Sequence, residues 1–113
     1  MSKFYIRKAA NGQFYFVLKA GNNETILTGE TYTTKQSCKD GIESVRRHST
    51  DDSNYRNHVA SNGQFYFTLV ARNGEVIGTS ETYATTWGRD NGQVSVKASA
   101  PKAEVVDQTP VSY

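Results

Sequence analysis

The hexapeptide NGQFYF occurs twice in this chain, at residues 11–16 and again at residues 62–67. A gap-free offset of 51 residues extends the match from Ala9 with Ala60 to Val45 with Val96. About half of the paired residues are identical. Two copies of this length indicate a duplicated supersecondary unit rather than a solenoid. The repeat therefore constrains the chain to a fold built from two similar halves.

Identity between the copies follows a period of two from residue 14 to residue 34, where every even position matches its counterpart. Side chains alternate between the faces of a β-strand, so this pattern predicts strands with one face held constant. We expect that face to be the core: Phe14, Phe16, Leu18, Ile26, Phe65, Phe67, Leu69 and Ile77. The other face is expected to point outward: Tyr15, Val17, Lys19, Leu27, Tyr66, Thr68, Val70 and Val76.

Turns and helices follow each pair of strand-like runs. Residues 21–23 and 72–74 predict three-residue hairpin loops, whose last position suits Asn or Gly. Thr34 is the predicted N-cap of a helix over Lys35–His48 with an apolar stripe. Gly41 lies beside that stripe and recurs as Gly92. Because glycine costs a helix about 1 kcal/mol, its recurrence indicates a close approach to the sheet. The second helix has a weaker pattern and is expected to be short, frayed or dependent on packing.

These elements predict a single domain over residues 1–113. Repeat one spans about residues 3–49, repeat two about 55–107, and residues 108–113 form a loose tail. The fold class is α+β, with one mainly antiparallel sheet and two helices packed on one face. Val105 and Val106 are expected to form a short last strand.

At these residues the chain resembles the YegP family of small bacterial proteins of unknown function. The resemblance rests on NGQFYFVLKAGNNETILTGETYTTK, GIESVRRHS and NYRNHVASNGQFYFTLVARNGEVIGTSETYATT, in the family's order and spacing. It implies two tandem β3-α-β2 units that share one sheet and exchange their C-terminal strands. The segment WGRDNGQVSVK departs from the first repeat and leaves the second helix open. The resemblance supplies a fold and no catalytic residues.

The composition excludes several classes of function. One cysteine, Cys38, allows no intramolecular disulfide, and the formal charge of +2 is too small to argue for nucleic acid or membrane by itself. We expect no metal, no cofactor and no membrane segment, and a cytoplasmic location. The phosphate-binding and hydrolase motifs GxGxxG, GxSxG and HExxH do not occur. The chain is therefore predicted not to be an enzyme.

Three functional hypotheses follow. The first is a small binding or accessory module of unknown partner, protein or nucleic acid, that is monomeric, with the two repeats acting as a pseudo-dimer. The second is a weak single-stranded nucleic-acid binder with Tyr15, Lys19 and Tyr66 on the outward sheet face and Arg46 and Arg47 on a basic first helix.

The third hypothesis is a thiol enzyme or redox sensor at Cys38. It competes with a core position for this residue, because Cys38 falls on the apolar stripe of the first helix and buried cysteines usually pack as small hydrophobes.

Overall fold

The computed structural model describes residues 1–110 of the chain. Each repeat contains three strands and a helix, and one more strand follows the second helix. The first repeat consists of β1 (Lys3–Lys8), β2 (Phe14–Lys19), β3 (Thr25–Thr28) and α1 (Lys35–His48). The second consists of β4 (Tyr55–Val59), β5 (Phe65–Val70), β6 (Val76–Thr79), α2 (Thr86–Ser99) and β7 (Glu104–Asp107). A single 3₁₀ turn, Asp52–Asn54, joins the repeats in this part of the chain.

Within residues 1–110 the strands form one seven-stranded sheet in the order β4-β5-β6-β3-β2-β1-β7. All neighbours are antiparallel except β1 and β7, which are parallel. The repeats meet at the centre of the sheet, where Thr28 pairs with its counterpart Thr79. Both helices pack on the face that carries the buried phenylalanines. The predicted α+β fold with one mainly antiparallel sheet is confirmed.

The last strand returns to the first repeat. Strand β7 lies outside β1, and the Gln108 amide donates a 2.9 Å hydrogen bond to the Ile6 carbonyl. The Lys35 ammonium at the start of α1 lies 2.8 Å from the Asp107 carboxylate. The expected exchange of C-terminal strands is thus present, but within residues 1–110 one strand rather than two follows α2. Strand β4 follows α1 in the chain and is also the first strand of repeat two, where it pairs with β5. No described strand pairs with its other edge.

The four tight hairpin loops within residues 1–110 share one geometry. Each loop has three residues, and the last one is left-handed: Gly12 (φ 84°), Asn23 (φ 68°), Gly63 (φ 82°) and Gly74 (φ 84°). In each, the asparagine one residue earlier accepts a hydrogen bond from the backbone N–H two residues on. The predicted three-residue loops are confirmed.

A β-bulge corrects one expectation about the outward face. Leu18 pairs with Leu27 and Lys19 pairs with Thr25, so Ile26 is an extra residue in β3. The bulge breaks strict alternation, and both Ile26 and Leu27 belong to the buried cluster. The prediction that Leu27 points outward is therefore wrong, because its side chain has no exposed surface.

The helices approach the sheet closely at their repeated glycines. A Cβ atom on Gly41 would overlap the Tyr32 hydroxyl oxygen, and one on Gly92 would lie 2.5 Å from that of Tyr83. This confirms the close approach predicted from Gly41 and Gly92. Helix α2 has 14 residues, as α1 does, so only the first of the alternatives given for the second helix, that it is short, is wrong. The Thr34 and Thr85 hydroxyl oxygens cap the two helices by accepting backbone N–H bonds.

The expected core residues differ in burial. Phe16, Leu18, Phe67 and Leu69 have no exposed surface, and Ile26 and Ile77 are 6% and 7% exposed. Phe14 and Phe65 are half-buried near the sheet margin. Gln108 is bonded to β1 through its backbone and its side chain, although residues 108–113 were expected to form a loose tail. Residues 111–113 of that tail lie outside the described residues.

Candidate functional site

The sheet has one face that neither described helix covers, and we call it the open face. Alternation along the strands assigns to it the side chains that point away from the helices. They are Lys3, Tyr5 and Arg7 of β1, Tyr15, Val17 and Lys19 of β2, Thr25 and Thr28 of β3, Arg56 and His58 of β4, Tyr66, Thr68 and Val70 of β5, Val76 and Thr79 of β6, and Glu104 and Val106 of β7. The centre of this face is closely packed, because Val17 and Thr68 are only 5% and 8% exposed. The tyrosines Tyr5, Tyr15 and Tyr66 are half-buried and keep part of each ring accessible.

Cations accompany the tyrosine rings of repeat one on the open face. The Arg7 guanidinium carbon lies 5.7 Å from the centre of the Tyr5 ring, and the Lys19 ammonium lies 5.9 Å from it. Arg7 also donates a 3.0 Å hydrogen bond to the Gln108 side chain. Lys3 pairs with Glu104 at 3.7 Å. Aromatic rings with nearby cations can hold a planar, negatively charged ligand by stacking and charge attraction.

Repeat two arranges its part of the open face differently. His58 stacks on Tyr66 with the ring centres 4.9 Å apart and the planes 23° apart. Its Nε2 atom lies 2.9 Å from the Thr68 hydroxyl oxygen, which fixes the ring against β5. His58 is therefore half-buried rather than free in solvent. One side of the Tyr66 ring is occupied by this stack.

The structure brings together only some of the five predicted binding residues. Tyr15, Lys19 and Tyr66 share the open face, as alternation along β2 and β5 requires. Arg46 lies on the opposite side of the sheet, with its guanidinium carbon 5.5 Å from the centre of the buried Phe4 ring. It also pairs with Glu43 and donates to the Ala103 carbonyl, so it holds the segment that leads into β7.

Arg47 lies apart from both groups. It lines a cleft of about 780 Å³ between the end of α1, the 3₁₀ turn and the β5–β6 loop. The five residues therefore do not form one continuous site. Sequence reasoning missed Tyr5, Arg7 and Arg56 on the open face, although the alternation in β1 and β4 would have identified them once their pairing with β2 and β5 was known.

Cys38 is poorly suited to chemistry. Its side chain has no exposed surface and packs in the core cluster with Ile42 and Val45. Burial, with a smaller contribution from the Asp107 charge, raises the pKa of the thiol to about 11. The thiol therefore stays protonated at neutral pH, and the thiolate is the reactive form. The burial of Cys38 and the raised pKa of its thiol therefore speak against a thiol enzyme or redox sensor at this residue.

Two further classes of site find no support within residues 1–110. No group of three or more metal-ligating side chains gathers in this part of the chain. Neither described α-helix is long and apolar enough to cross a membrane.

Comparison with known proteins identifies close relatives. The UPF0339 protein YegP of Escherichia coli (strain K12) is 50% identical over 106 residues, which cover 94% of this chain and 96% of the relative. A UPF0339 protein of Bordetella pertussis is 50% identical over 109 residues, covering 96% and 98% of the two chains. A solution structure of the E. coli yegP protein, described as of unknown function, superposes with a TM-score of 0.92 at 48% identity, covering 98% of this chain and 96% of that one.

The solution structure of a UPF0339 protein of Shewanella oneidensis gives a TM-score of 0.90 at 44% identity, covering 96% of this chain and 92% of that one. A family model described as a domain of unknown function, DUF1508, matches twice in tandem, at residues 9–55 and 60–107. The two matches correspond to the two repeats, and together with the relatives they show that the chain belongs to the DUF1508 family, to which its resemblance to YegP proteins had pointed.

Proposed function

We propose that this chain is a non-enzymatic, monomeric binding module of the cytoplasm, and that the open face holds single-stranded nucleic acid. The observation that carries the proposal is the set of partly accessible tyrosines, Tyr5, Tyr15 and Tyr66, on a sheet face that no described helix covers. Base stacking on such rings tolerates any sequence, because every base has a π-face. The basic side chains Arg7, Lys19 and Arg56 on the same face supply attraction for phosphates.

The spacing of the rings suggests how a strand would lie. Strands β2 and β5 are separated by β3 and β6, so their backbones are about 14 Å apart at ordinary strand spacing. That distance exceeds the stacking distance of neighbouring bases, about 3.4 Å. Tyr15 and Tyr66 would therefore contact non-neighbouring bases, with the central Thr28 and Thr79 between them. The nucleic acid would cross the strands rather than follow one of them.

The test is an amide NMR titration of the full chain with a mixed-sequence single-stranded oligonucleotide, at low salt and then at physiological salt. We expect shifts on the open face, with an affinity that falls as salt rises. Replacing both rings, Tyr15→Ala with Tyr66→Ala, should weaken binding at least tenfold, because stacking contributes about 1–3 kcal/mol per base. Trp87→Ala is the matched control, since Trp87 is an aromatic residue that is 76% exposed on α2.

Two results would overturn the proposal. One is an affinity that the double variant leaves unchanged while its spectrum stays folded. The other is a set of shifts on the open face that appears on concentrating the protein alone, since this would identify the face as a self-association surface.

A further inference from the structure

The cleft that Arg47 lines, which we call the arginine cleft, has a positively charged lining. Its lining contains Arg47, Arg56 and Arg72 against a single carboxylate, Asp51, for a formal charge of +2. The other lining residues are His48, Ser53, Asn54, Ala71 and Gly74. The three arginines come from α1, β4 and the β5–β6 loop, so the folded chain brings them together from separate elements.

The duplication supplies an internal control for this charge. At the 51-residue offset, Arg47 corresponds to Ala98, Arg56 to Asp107 and Arg72 to Gly21. The whole equivalent lining is Ala20, Gly21, Asn23, Ala98, Ser99, Lys102, Glu104, Val105 and Asp107, with a formal charge of −1 from one lysine and two carboxylates. The β2–β3 loop of repeat one and the end of α2 thus reproduce the equivalent loop and helix end without any of these arginines.

Internal ion pairs do not account for the arginines either. Within residues 1–110, Arg46 and Arg89 pair with Glu43 and Asp90, whereas Arg47, Arg56 and Arg72 form no salt bridge. Arg56 donates hydrogen bonds to the Ser53 and Tyr55 carbonyls, which orient its guanidinium.

The remaining polar groups of the cleft are held by local contacts. The Asp51 carboxylate accepts bonds from the Ser53 hydroxyl at 2.7 Å and the Ser53 N–H at 2.9 Å. These bonds lower the pKa of Asp51, so its single negative charge persists at neutral pH. His48 accepts the Arg72 backbone N–H at Nε2 and lies 2.7 Å from the Ser44 carbonyl through Nδ1. The tautomer that satisfies both contacts is neutral, with its proton on Nδ1.

We propose that the arginine cleft binds a phosphate group through the guanidinium groups of Arg47, Arg56 and Arg72, which line it. Guanidinium groups suit this ligand because their planar N–H pairs match phosphate oxygens two at a time. The phosphate could belong to a small phosphorylated molecule or to the backbone of a strand, and both present the same chemistry to the cleft. This inference does not depend on the open face. Only Arg56, one of the three arginines of the cleft, also lies on that face.

The first experiment titrates the full chain with inorganic pyrophosphate at constant ionic strength, followed by amide and arginine side-chain NMR. We expect saturable shifts at Arg47, Arg72 and Asn54. The variant Arg47→Ala with Arg72→Gly should weaken binding at least tenfold. Both changes introduce the residue that the other copy carries at the same place, so the fold should be retained. Lys39→Ala is the control, since Lys39 is an exposed cation of α1 outside the cleft.

A second arm uses a single-stranded oligonucleotide without terminal phosphates. Loss of affinity in the double arginine variant for pyrophosphate alone would assign the cleft to small phosphorylated ligands. Loss for the oligonucleotide alone would assign it to a strand backbone. The proposal is overturned if pyrophosphate binds no better than sulfate and the arginine variant changes neither titration. The proposal for the open face is tested separately, by the affinity of the Tyr15→Ala with Tyr66→Ala variant for the oligonucleotide.

Discussion

The two repeats share the same backbone elements, but they differ in whether another strand covers their outer edge and in how many residues their helix buries. In repeat one, β7 covers the outer edge of β1, and α1 buries Cys38, Gly41, Ile42 and Val45. In repeat two, no described strand covers the edge of β4, and α2 buries only Gly92 and Val96 along its length. The hairpin loops, the threonine caps and the close glycines are common to both. Duplication therefore preserved the elements that fix the backbone, while the side chains diverged where their neighbours differ.

The contact between the repeats gives the largest expected effect. Leu27 and Gly78 are counterparts in the two copies, and a Cβ on Gly78 would lie 2.6 Å from a Leu27 methyl carbon. The two equivalent positions thus cannot both hold a large side chain. Leu27→Ala should lower the free energy of unfolding by about 2–5 kcal/mol, because Leu27 is fully buried. Gly78→Ala should lower it by about 1–3 kcal/mol through overpacking.

Combining Leu27→Ala with Gly78→Ala tests whether the two equivalent positions compete for the same space. The new methyl group at position 78 would occupy part of the space that Leu27→Ala vacates. Urea denaturation of the double variant should therefore show a smaller loss than the sum of the single losses. Val94→Ala, at a 59% exposed position of α2, serves as the control and should change stability by less than about 0.5 kcal/mol. Strictly additive losses would show that the two positions do not compete for space.

A second difference lies at the start of β4. The buried Tyr55 hydroxyl donates a 2.7 Å hydrogen bond to the Ser49 carbonyl, whereas the counterparts of these residues are Phe4 and Ala100. Tyr55→Phe would make repeat two resemble repeat one, but it would leave a buried carbonyl without its donor. We expect a loss of about 1–3 kcal/mol in urea denaturation. Tyr5→Phe, on the open face, should have little effect, and equal losses in both variants would contradict this account.

The covered edge carries a carboxyl group, Asp107, whose contribution to stability depends on pH. Hydrogen bonds from the Lys35 side chain and from Thr109 hold the pKa of Asp107 below its usual range. A carboxyl group with a depressed pKa stabilises the folded state above its unfolded pKa, near 4, and the contribution is lost as pH falls through the folded value. Asp107→Asn should therefore cost less than about 1 kcal/mol at pH 7, since the pair is exposed. That difference should shrink as pH falls below the usual pKa of aspartate and vanish below the depressed one.

Amide exchange can locate the same effect at the edge. The Ile6 backbone faces β7, while the equivalent Asn57 of β4 faces the uncovered edge. Asp107→Asn should speed exchange of the Ile6 amide at neutral pH and leave unchanged that of Phe67 in repeat two, whose buried N–H donates a 2.9 Å hydrogen bond to the Ser80 hydroxyl oxygen. Faster exchange at both residues would indicate general destabilisation instead.

The sequence predicted most of the framework because repeats, loops and caps are local signals. Thr34, Gly41 and the three-residue loops each depend on a few adjacent residues and on the backbone they require. The burial of Leu27 could not be predicted in this way, because it depends on a bulge and on Gly78, about fifty positions away.

Pairing between distant strands also limited prediction of the candidate site. Tyr15 and Tyr66 were recognisable from their recurrence in NGQFYF. Grouping Arg46 with them was not justified by the fold, since the helix carries Arg46 to the opposite side of the sheet, against Phe4. The arginine cleft is formed by α1, β4 and the β5–β6 loop, which come from both repeats, and no local pattern in the sequence predicts it.

The smallest expected effect concerns the one left-handed loop position in residues 1–110 at which the two repeats carry different residues. Asn23 and Gly74 both close a three-residue loop in the left-handed region, at φ 68° and φ 84°. Asparagine is among the few non-glycine residues that tolerate this region, whereas alanine there costs about 1–2 kcal/mol. Gly74→Asn and Asn23→Gly should therefore each change the free energy of unfolding by less than about 0.5 kcal/mol, while Gly74→Ala should cost clearly more. Thermal or urea denaturation of the three variants separates these cases. A large loss in Gly74→Asn would mean that the second loop needs glycine for a reason the first does not share, and the framework would be less equivalent between repeats than its geometry indicates.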